Sequence, residues 1–252
     1  MKPKMEPKTD QRLTAETTLL NYKHNDIQKL VKGRNWPSLK TYDRIGAVYD
    51  YVRNEVKFGY NRKDEISASE VLADGYGQCN TKGTLLMALF RAVGIPCRLH
   101  GFTIEKALQS GVVPPGIMPI TPANILHSWV EIYYEDKWIN LEGFILDDDY
   151  LRALQAKFPN KSSLCTLGAG TDNLQNPDVL WTGVDTYIQK TGINQDLGTF
   201  DSPDAFYATR RQELGWFKTM LYQNIIRHWM NRRVARLRGR HSALTLISKA
   251  TG

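Results

Sequence analysis

A nearly continuous apolar run constrains this chain more than any other feature of its sequence. Residues 85–90 are all apolar, and they lie within a longer stretch, 80–93, that offers little polar surface. Such a run between turn residues predicts a helix that is buried on all sides. Gly94 and Pro96 follow the stretch and are typical of a helix end. The sequence therefore predicts a buried helix that stops at Gly94.

Length and composition limit the class of protein. The chain has 252 residues, of which 42% are apolar and 23% are charged. This suits one large globular domain, or one domain with an appendage, that buries a sizeable core. No apolar run approaches the roughly 20 residues that span a bilayer, and the polar N-terminus lacks the apolar segment of a signal peptide. We therefore expect a cytoplasmic protein.

The cysteines agree with that location. There are three, Cys79, Cys97 and Cys165. An odd number fits a reducing compartment and argues against a disulfide framework. No CxxC pair is present, unlike most zinc sites. We expect neither a metal nor a cofactor.

The positive charge is concentrated at the C-terminus. The net charge is +7, yet residues 214–252 carry eight Lys/Arg and no acid, which leaves the rest at 7 − 8 = −1. A helix is predicted at 214–238, with an apolar stripe of Phe217, Leu221 and Ile225 that continues to Val234 and Leu237. Docking on the core with a solvated basic face is favoured, and an acidic partner or a membrane surface is the alternative. No nucleic-acid motif accompanies the charge, so no specific nucleic acid is expected.

The remaining pattern is typical of an α+β fold. Helices are predicted at 26–31, 41–56 and 67–74, and strands at 97–102, 127–134 and 137–144. Four prolines within 105–126 predict a long ordered loop. Three segments follow: a core at 1–165, an irregular segment at 166–213 that wraps the core, and a basic helix and tail at 214–252.

Cys79 is the candidate nucleophile. It stands between a glycine-rich turn, Gly75 to Gly77, and the start of the buried helix. Unpaired N–H groups and the helix dipole at such a position favour a thiolate and can also hold an oxyanion. The competing interpretation is a buried structural cysteine, which is the usual fate of a free thiol. Cys97 and Cys165 lack this context.

A thiol nucleophile needs a histidine as its base. Of the five histidines, one lies in a polar N-terminal stretch and two in the basic tail, which leaves His100 and His127. His127 begins a predicted strand, and the next strand contains Glu142. The competing interpretations are a strand-end histidine bonded locally and a solvated strand carboxylate.

Hairpin geometry links His127 to Glu142. If Glu135 and Asp136 form a two-residue loop, Trp129 pairs with Glu142, and His127 lies on the same face as both because side chains alternate with period two. Diagonal neighbours lie about 7 Å apart, within reach of a long carboxylate. Glu142 could then orient the imidazole. A three-residue loop would put the two on opposite faces.

Together these motifs resemble the transglutaminase-like superfamily. The resemblance covers about residues 40–150 and rests on a Gly-x-Cys helix start, a Gly-Ile-Pro-x-Arg helix exit and a His-x-Trp-Val-Glu strand, in that order. It implies an α+β fold in which the cysteine helix packs on an antiparallel sheet that carries the histidine and the acid. Glu142 stands where the family usually has Asp followed by Pro, so Asp147 is a second candidate for the acid.

The resemblance also implies the rest of the site. The family pairs the nucleophile's own N–H with one side-chain donor in the oxyanion hole, and Gln78 and Tyr60 are the candidates. Tyr76 and Trp129 are candidates for the substrate cleft, and the loop at 105–126 is expected to form one wall.

The resemblance implies the type of chemistry but does not decide between hydrolysis and transfer. The family implies a cysteine-dependent amide hydrolase or acyltransferase that works through a thioester, and the chain is most similar to bacterial stand-alone members. With the core near neutral charge, hydrolysis is favoured slightly over transfer to an amine. The alternatives are a non-catalytic peptide-binding module on the same fold and a basic adaptor that acts through its tail.

Overall fold

The computed structural model of the chain describes residues 10–210 and 215–250, apart from the side chains of residues 120, 217 and 240–250. It has an α+β fold in which helices pack on a four-stranded antiparallel sheet. The helices are α1 Asn25–Gly33, α2 Thr41–Asp50, α3 Ala68–Asp74, α4 Cys79–Ala92, α5 Asp148–Lys157, α6 Pro203–Thr209, α7 Trp216–Leu221 and α8 Arg227–Ala250. The strands are β1 Lys57–Phe58, β2 Tyr76–Gly77, β3 Cys97–Glu105, β4 Asn124–Tyr134, β5 Lys137–Leu141, β6 Leu164–Thr166, β7 Ala169–Thr171 and β8 Ile193–Phe200.

Helix α4 lies at the centre of the core. Every residue from Cys79 to Arg91 is buried, as the apolar run predicts. The helix packs against β4 and also contacts α1, α2 and α3. The positive φ of Gly94, 78°, ends the stretch in the conformation that glycine adopts without strain. Cys79 is thereby fixed at the end of the most deeply buried element.

The sheet has the strand order β5-β4-β3-β8. Two strands are longer than predicted, since β3 runs to Glu105 and β4 begins at Asn124, with these two residues paired. The loop between them is correspondingly shorter than 105–126. The strands extend because Ile104 and Ile125 pair at the sheet end and Ile104 is buried.

The segment predicted to be irregular contains a strand of the central sheet. Strand β8 pairs with β3 along the edge, with register shifts after Gly101 and after Thr103. Its residues are half-buried or exposed, so its sequence lacks the apolar alternation of an interior strand. Strand β7 also lies in this segment and pairs in a separate hairpin with β6, which comes just before it. The expectation of irregular structure from 166 to 213 is therefore wrong for β8.

The C-terminal helix docks on the core. Asn231 exchanges two hydrogen bonds with the backbone of Tyr60, and Arg238 binds the carboxylate of Asp147. Met230 and Val234 are buried against the core.

The apolar stripe of this helix differs from the predicted one. Ile225 is 62% exposed, whereas Ile226 packs against the core. The reason is a π-helical turn at Tyr222–Ile226, which adds one residue to the turn and rotates the inner face by one position. Among the described residues, no helix combines the length and apolar character that crossing a bilayer requires. An acidic partner or membrane surface for the basic face stays a prediction.

Candidate active site

The turn before Cys79 fits only glycine at its closest point. A Cβ on Gly77 would lie 2.6 Å from the Thr81 hydroxyl, which is closer than real Cβ atoms come to other atoms. Thr81 belongs to the cap of α4, where its hydroxyl accepts a hydrogen bond from the backbone N–H of Gln78. Gln78 is the N-cap residue, so Cys79 is the first residue of the helix. This explains the Gly-x-Cys spacing in physical terms.

The hairpin that carries the histidine has the predicted register. Tyr134 pairs with Lys137, and the two loop residues, Glu135 and Asp136, have φ values of 48° and 59°. These left-handed values make a type I′ turn, which matches the twist of the strands. His127 and Glu142 are both fully buried, and His127 Nε2 lies 2.8 Å from Glu142 Oε1. The register argument from the sequence is confirmed.

The Glu142 carboxylate is held at its second oxygen as well. Oε2 accepts hydrogen bonds from the backbone N–H groups of Ile188 and Gln189, each at 2.9 Å. The Glu142 N–H donates to the carbonyl of Thr186 at 3.0 Å. These three residues come from the segment that was predicted to be irregular. Ile188 and Gln189 act through the backbone, so their residue types could not have identified them, whereas Thr186 also accepts from the Glu142 N–H with its hydroxyl.

The other nitrogen of His127 is directed to the thiol. Nδ1 is buried and forms no hydrogen bond of good geometry among the described residues. Cys79 is nevertheless close enough to act on the ring by charge and by hydrogen bonding. Burial lowers the pKa of His127, but Cys79 and then Glu142 outweigh burial and raise this pKa to about 10. The Cys79 and Glu142 groups therefore favour the protonated over the neutral imidazole.

Asp147, the second candidate for the acid, is occupied elsewhere. It caps α5, where its carboxylate accepts from the backbone N–H of Tyr150, and it also accepts from the N–H of Phe58. Burial raises the pKa of Asp147, but hydrogen bonding to Arg238 and the charge of that residue lower it overall. The carboxylate that contacts His127 is that of Glu142.

A cavity of about 330 Å³ opens beside Cys79. Its walls come from the 58–65 segment, from the loop and strand ends at 104–126, and from the C-terminal helix. The loop therefore forms one wall, as expected from the sequence. The sequence favoured docking of that helix on the core, but it did not predict that the helix lines the cavity beside Cys79.

The two candidates for the oxyanion hole both line this cavity. Gln78 is engaged on both sides of its amide, since Oε1 accepts from the Asn61 N–H at 3.0 Å and Nε2 donates to Asp64 at 2.8 Å. Tyr60 is buried, and burial raises the pKa of its hydroxyl well above the usual value. Asp64 itself is a cavity residue that sequence reasoning missed. Burial raises the pKa of its carboxyl, against hydrogen bonds that lower it.

Tyr76 and Trp129, the cleft candidates, are not among the residues that line the cavity. Trp129 shares the sheet face of His127 but packs against Phe102, with ring centroids 4.0 Å apart. Its indole N–H donates to Asn140 at 3.0 Å. Tyr76 lies in β2, where its ring packs against the backbone of Gly59. Both side chains are taken up by packing outside the cavity.

Within the described part of the chain, no cluster of three or more His, Cys, Asp or Glu residues is arranged to hold a metal ion. The acidic run Asp147 to Asp149 starts helix α5, as its position before Tyr150 predicts.

Comparison with protein families identifies the core. The sequence pattern of the Transglutaminase-like superfamily matches residues 28–143. The chain carries a transglutaminase-like domain. That span contains Cys79, His127 and Glu142, and it ends before the segment that supplies the backbone contacts to Glu142.

More specific relatives are distant. No curated protein matches the chain. A solved structure of a candidate cysteine protease from Cytophaga hutchinsonii is similar over 77% of this chain and 47% of that one, with 15% identity and a TM-score of 0.46. The chain thus spans about half the length of that protein.

Proposed function

We propose that this protein is a cysteine-dependent amide hydrolase that acts on a protein or peptide amide through a thioester. One observation carries the proposal: a fully buried histidine has one ring nitrogen on a fixed carboxylate and the other beside a cysteine that begins a helix. Thiol enzymes need this order of groups, because the imidazole must exchange a proton with the nucleophile while the acid fixes its tautomer. The match of residues 28–143 to the Transglutaminase-like superfamily supports the same chemistry.

The reaction has two halves. The Cys79 thiolate attacks the amide carbon, and the protonated His127 gives its proton to the leaving nitrogen as the C–N bond breaks. A thioester and an amine or ammonia result. Water then adds to the thioester carbon and gives a proton to His127, and the C–S bond breaks to release a carboxylic acid. The backbone N–H of Cys79, with Gln78 or Tyr60, is the proposed donor set for the oxyanion.

Transfer to an amine is the second candidate. The apolar, partly enclosed cavity favours it, because water at about 55 M competes with any amine and such a cleft excludes water. The two outcomes share the thioester and differ only in what resolves it. In the transfer reaction an amine-bearing acceptor would enter after the first product leaves.

The test supplies a glutaminyl peptide together with a fluorescent primary amine. Intact-mass spectrometry should show an acyl adduct on the wild type and none on Cys79→Ala. Ammonia release without incorporated amine supports hydrolysis, whereas incorporation that outpaces hydrolysis at millimolar amine makes the protein a transferase. Absence of any adduct across a panel of amides would favour the non-catalytic binding module.

A further inference from the structure

The cavity beside Cys79 is lined mainly by apolar side chains. They come from parts of the chain that are far apart in sequence and include Leu108, Val113, Ile117, Leu126, Ile226 and Met230. Val113 and Met230 are almost fully buried, at 4% and 2% exposure. An apolar surface beside a reactive group does not serve a small polar substrate, since binding such a substrate there would strip it of water without compensation.

The amides that flank Cys79 in the cavity are bonded to the protein. The Gln78 amide is held by Asp64 and Asn61, and the Asn80 amide donates to the Leu126 carbonyl and accepts from Ser128. The charged lining residues Arg62 and Lys63 are exposed, which places them at the mouth. Polar side chains therefore lie near Cys79 and at the mouth of the cavity. Apolar side chains line the rest of its wall.

One acceptor remains available. Gln189 lines the cavity, and its Oε1 is buried without a hydrogen-bond partner among the described residues. The backbone N–H of Gln189 donates to Glu142, and its side-chain Nε2 donates to the Gly168 carbonyl, so the amide that carries this acceptor is held in place. The group that complements it is an N–H, such as that of an amide next to the reacting carbonyl.

We infer that the substrate carries a large apolar group on the acyl side of the bond that is cleaved, and that this group fills the cavity between the loop and the C-terminal helix. The inference rests on the proposed function, because it assumes that Cys79 attacks the carbonyl. Two sources share this chemistry: a straight-chain acyl group and an N-acylated amino acid with a bulky apolar side chain. The volume of about 330 Å³ lies within the range of small-ligand pockets.

The helical wall provides a matched pair of variants. Ile225 and Ile226 are neighbours in the same π-helical turn, but Ile226 lines the cavity and Ile225 is 62% exposed. Ile226→Trp fills the cavity, and Ile225→Trp makes the same chemical change outside it. Thermal unfolding of both variants checks that they fold.

The experiment measures p-nitrophenol release from activated esters, after subtraction of the rate with Cys79→Ala. One arm compares the acetate with the hexanoate, and the other compares N-acetylglycine with N-acetylleucine esters. Buried methylenes each favour binding by about threefold to fourfold, so the hexanoate, with four more methylenes, is expected to exceed the acetate in kcat/KM by up to roughly 250-fold. Ile226→Trp should reduce this ratio by about tenfold or more, and Ile225→Trp should leave it within about twofold.

The outcomes separate the two proposals. No Cys79-dependent release from any ester overturns the proposed function. Release from the acetate with less than about a twofold gain for the larger acyl groups leaves the nucleophile in place and overturns the inference. If Ile226→Trp does not fold, the ratio in the wild type decides. If only the hexanoate shows the gain, the apolar group is a fatty acyl chain. If only the N-acetylleucine ester shows it, the group is an amino-acid side chain.

Discussion

Two histidines lie on the same face of the central sheet and have different surroundings. His127 pairs with Phe102, and His100 pairs with Trp129, so all four side chains share that face. The rings form a continuous row, since His100 stacks on Phe102 at 4.3 Å and Phe102 packs on Trp129 at 4.0 Å. Each histidine binds a glutamate, yet only His127 also lies beside a thiol.

At His100 both ring nitrogens are occupied by acids. Nδ1 lies 2.6 Å from Glu131 and Nε2 lies 2.9 Å from Asp196. Glu131 is in turn bound by Arg98, whose guanidinium stacks over Trp138 at 3.8 Å. This imidazole is the centre of an ion-pair cluster and has no nitrogen left for a reacting group.

The comparison teaches that a carboxylate partner alone does not identify a catalytic histidine. His127 differs because its second nitrogen is directed at a nucleophile and because both it and its acid are fully buried. Because His127 is buried, water cannot replace its imidazole as the proton acceptor. The His100 side chain is 17% exposed and therefore reaches solvent. The predictions below test whether this difference separates a site of chemistry from a site of structure.

The largest expected effect comes from the two histidines themselves. His127→Asn should lower the rate of Cys79 acylation by roughly a thousandfold or more, because the thiol loses its base. His100→Asn should leave that rate within about threefold. Burst kinetics with an activated ester measures both. Equal losses in the two variants would remove the distinction between the histidines.

The glutamates give the next effect. Glu142→Gln keeps the shape but removes the charge behind His127, and turnover should fall by about 10- to 1000-fold. Glu131→Gln is the matched change beside His100. It should lower the free energy of unfolding by about 1–3 kcal/mol and leave turnover nearly unchanged. Steady-state turnover and urea unfolding are the measurements. Because Asp147 is bound to Arg238 and cannot replace Glu142, unchanged turnover in Glu142→Gln would contradict the proposed role.

The cysteines should differ in reactivity according to their neighbours. Cys79 has an imidazole beside it, whereas burial and then the charge of Glu105 raise the pKa of Cys165. Cys97 is fully buried, and burial raises its pKa. Iodoacetamide near neutral pH should therefore label Cys79 first, the exposed Cys165 more slowly by about tenfold or more, and Cys97 only on unfolding. Peptide mapping over time gives the order, and fast labelling of Cys97 would overturn the site assignment.

The smallest expected effect is the contribution of the His100 cluster to the pH dependence of the free energy of unfolding. Burial lowers the pKa of His100, but Glu131 and Asp196 outweigh burial and raise it. Because the pKa of His100 is higher in the folded than in the unfolded protein, its contribution to folding stability is complete below the unfolded-state pKa of about 6.5. This contribution is lost as pH rises through the pKa of His100 in the folded protein. The pKa values of Glu131 and Asp196 are lowered, so their share is lost as pH falls below about 4. The wild type should exceed His100→Gln by no more than about 1 kcal/mol, most clearly near pH 5–6. A difference that grows above pH 8 would contradict the sign.

The parts of the site that local chemistry determines could be predicted from the sequence. The glycine turn before Cys79 and the two-residue hairpin loop each fix their neighbours within a few residues, and both are as predicted. Strand β8 could not be predicted, because its residues are half polar and its partner β3 lies about 90 residues earlier in the chain. Ile188 and Gln189 contribute backbone N–H groups, which every residue but proline has. On the C-terminal helix Val234 and Leu237 face the core as predicted, but Ile225 was assigned to the inner face in place of Ile226, because a 3.6-residue period does not reveal a π-helical turn.

The third wall of the cavity has a consequence for biosynthesis. Leu221, Tyr222, Ile226 and Met230 are made about 80 to 90 residues after Glu142, which corresponds to roughly 4 to 18 seconds on the ribosome. Throughout that interval the nascent chain already contains the nucleophile, the base and the acid, while its apolar cleft has only two walls. The nascent chain thus exposes a thiol and an apolar surface together. We expect chaperones to bind that surface until the C-terminal helix packs on the core.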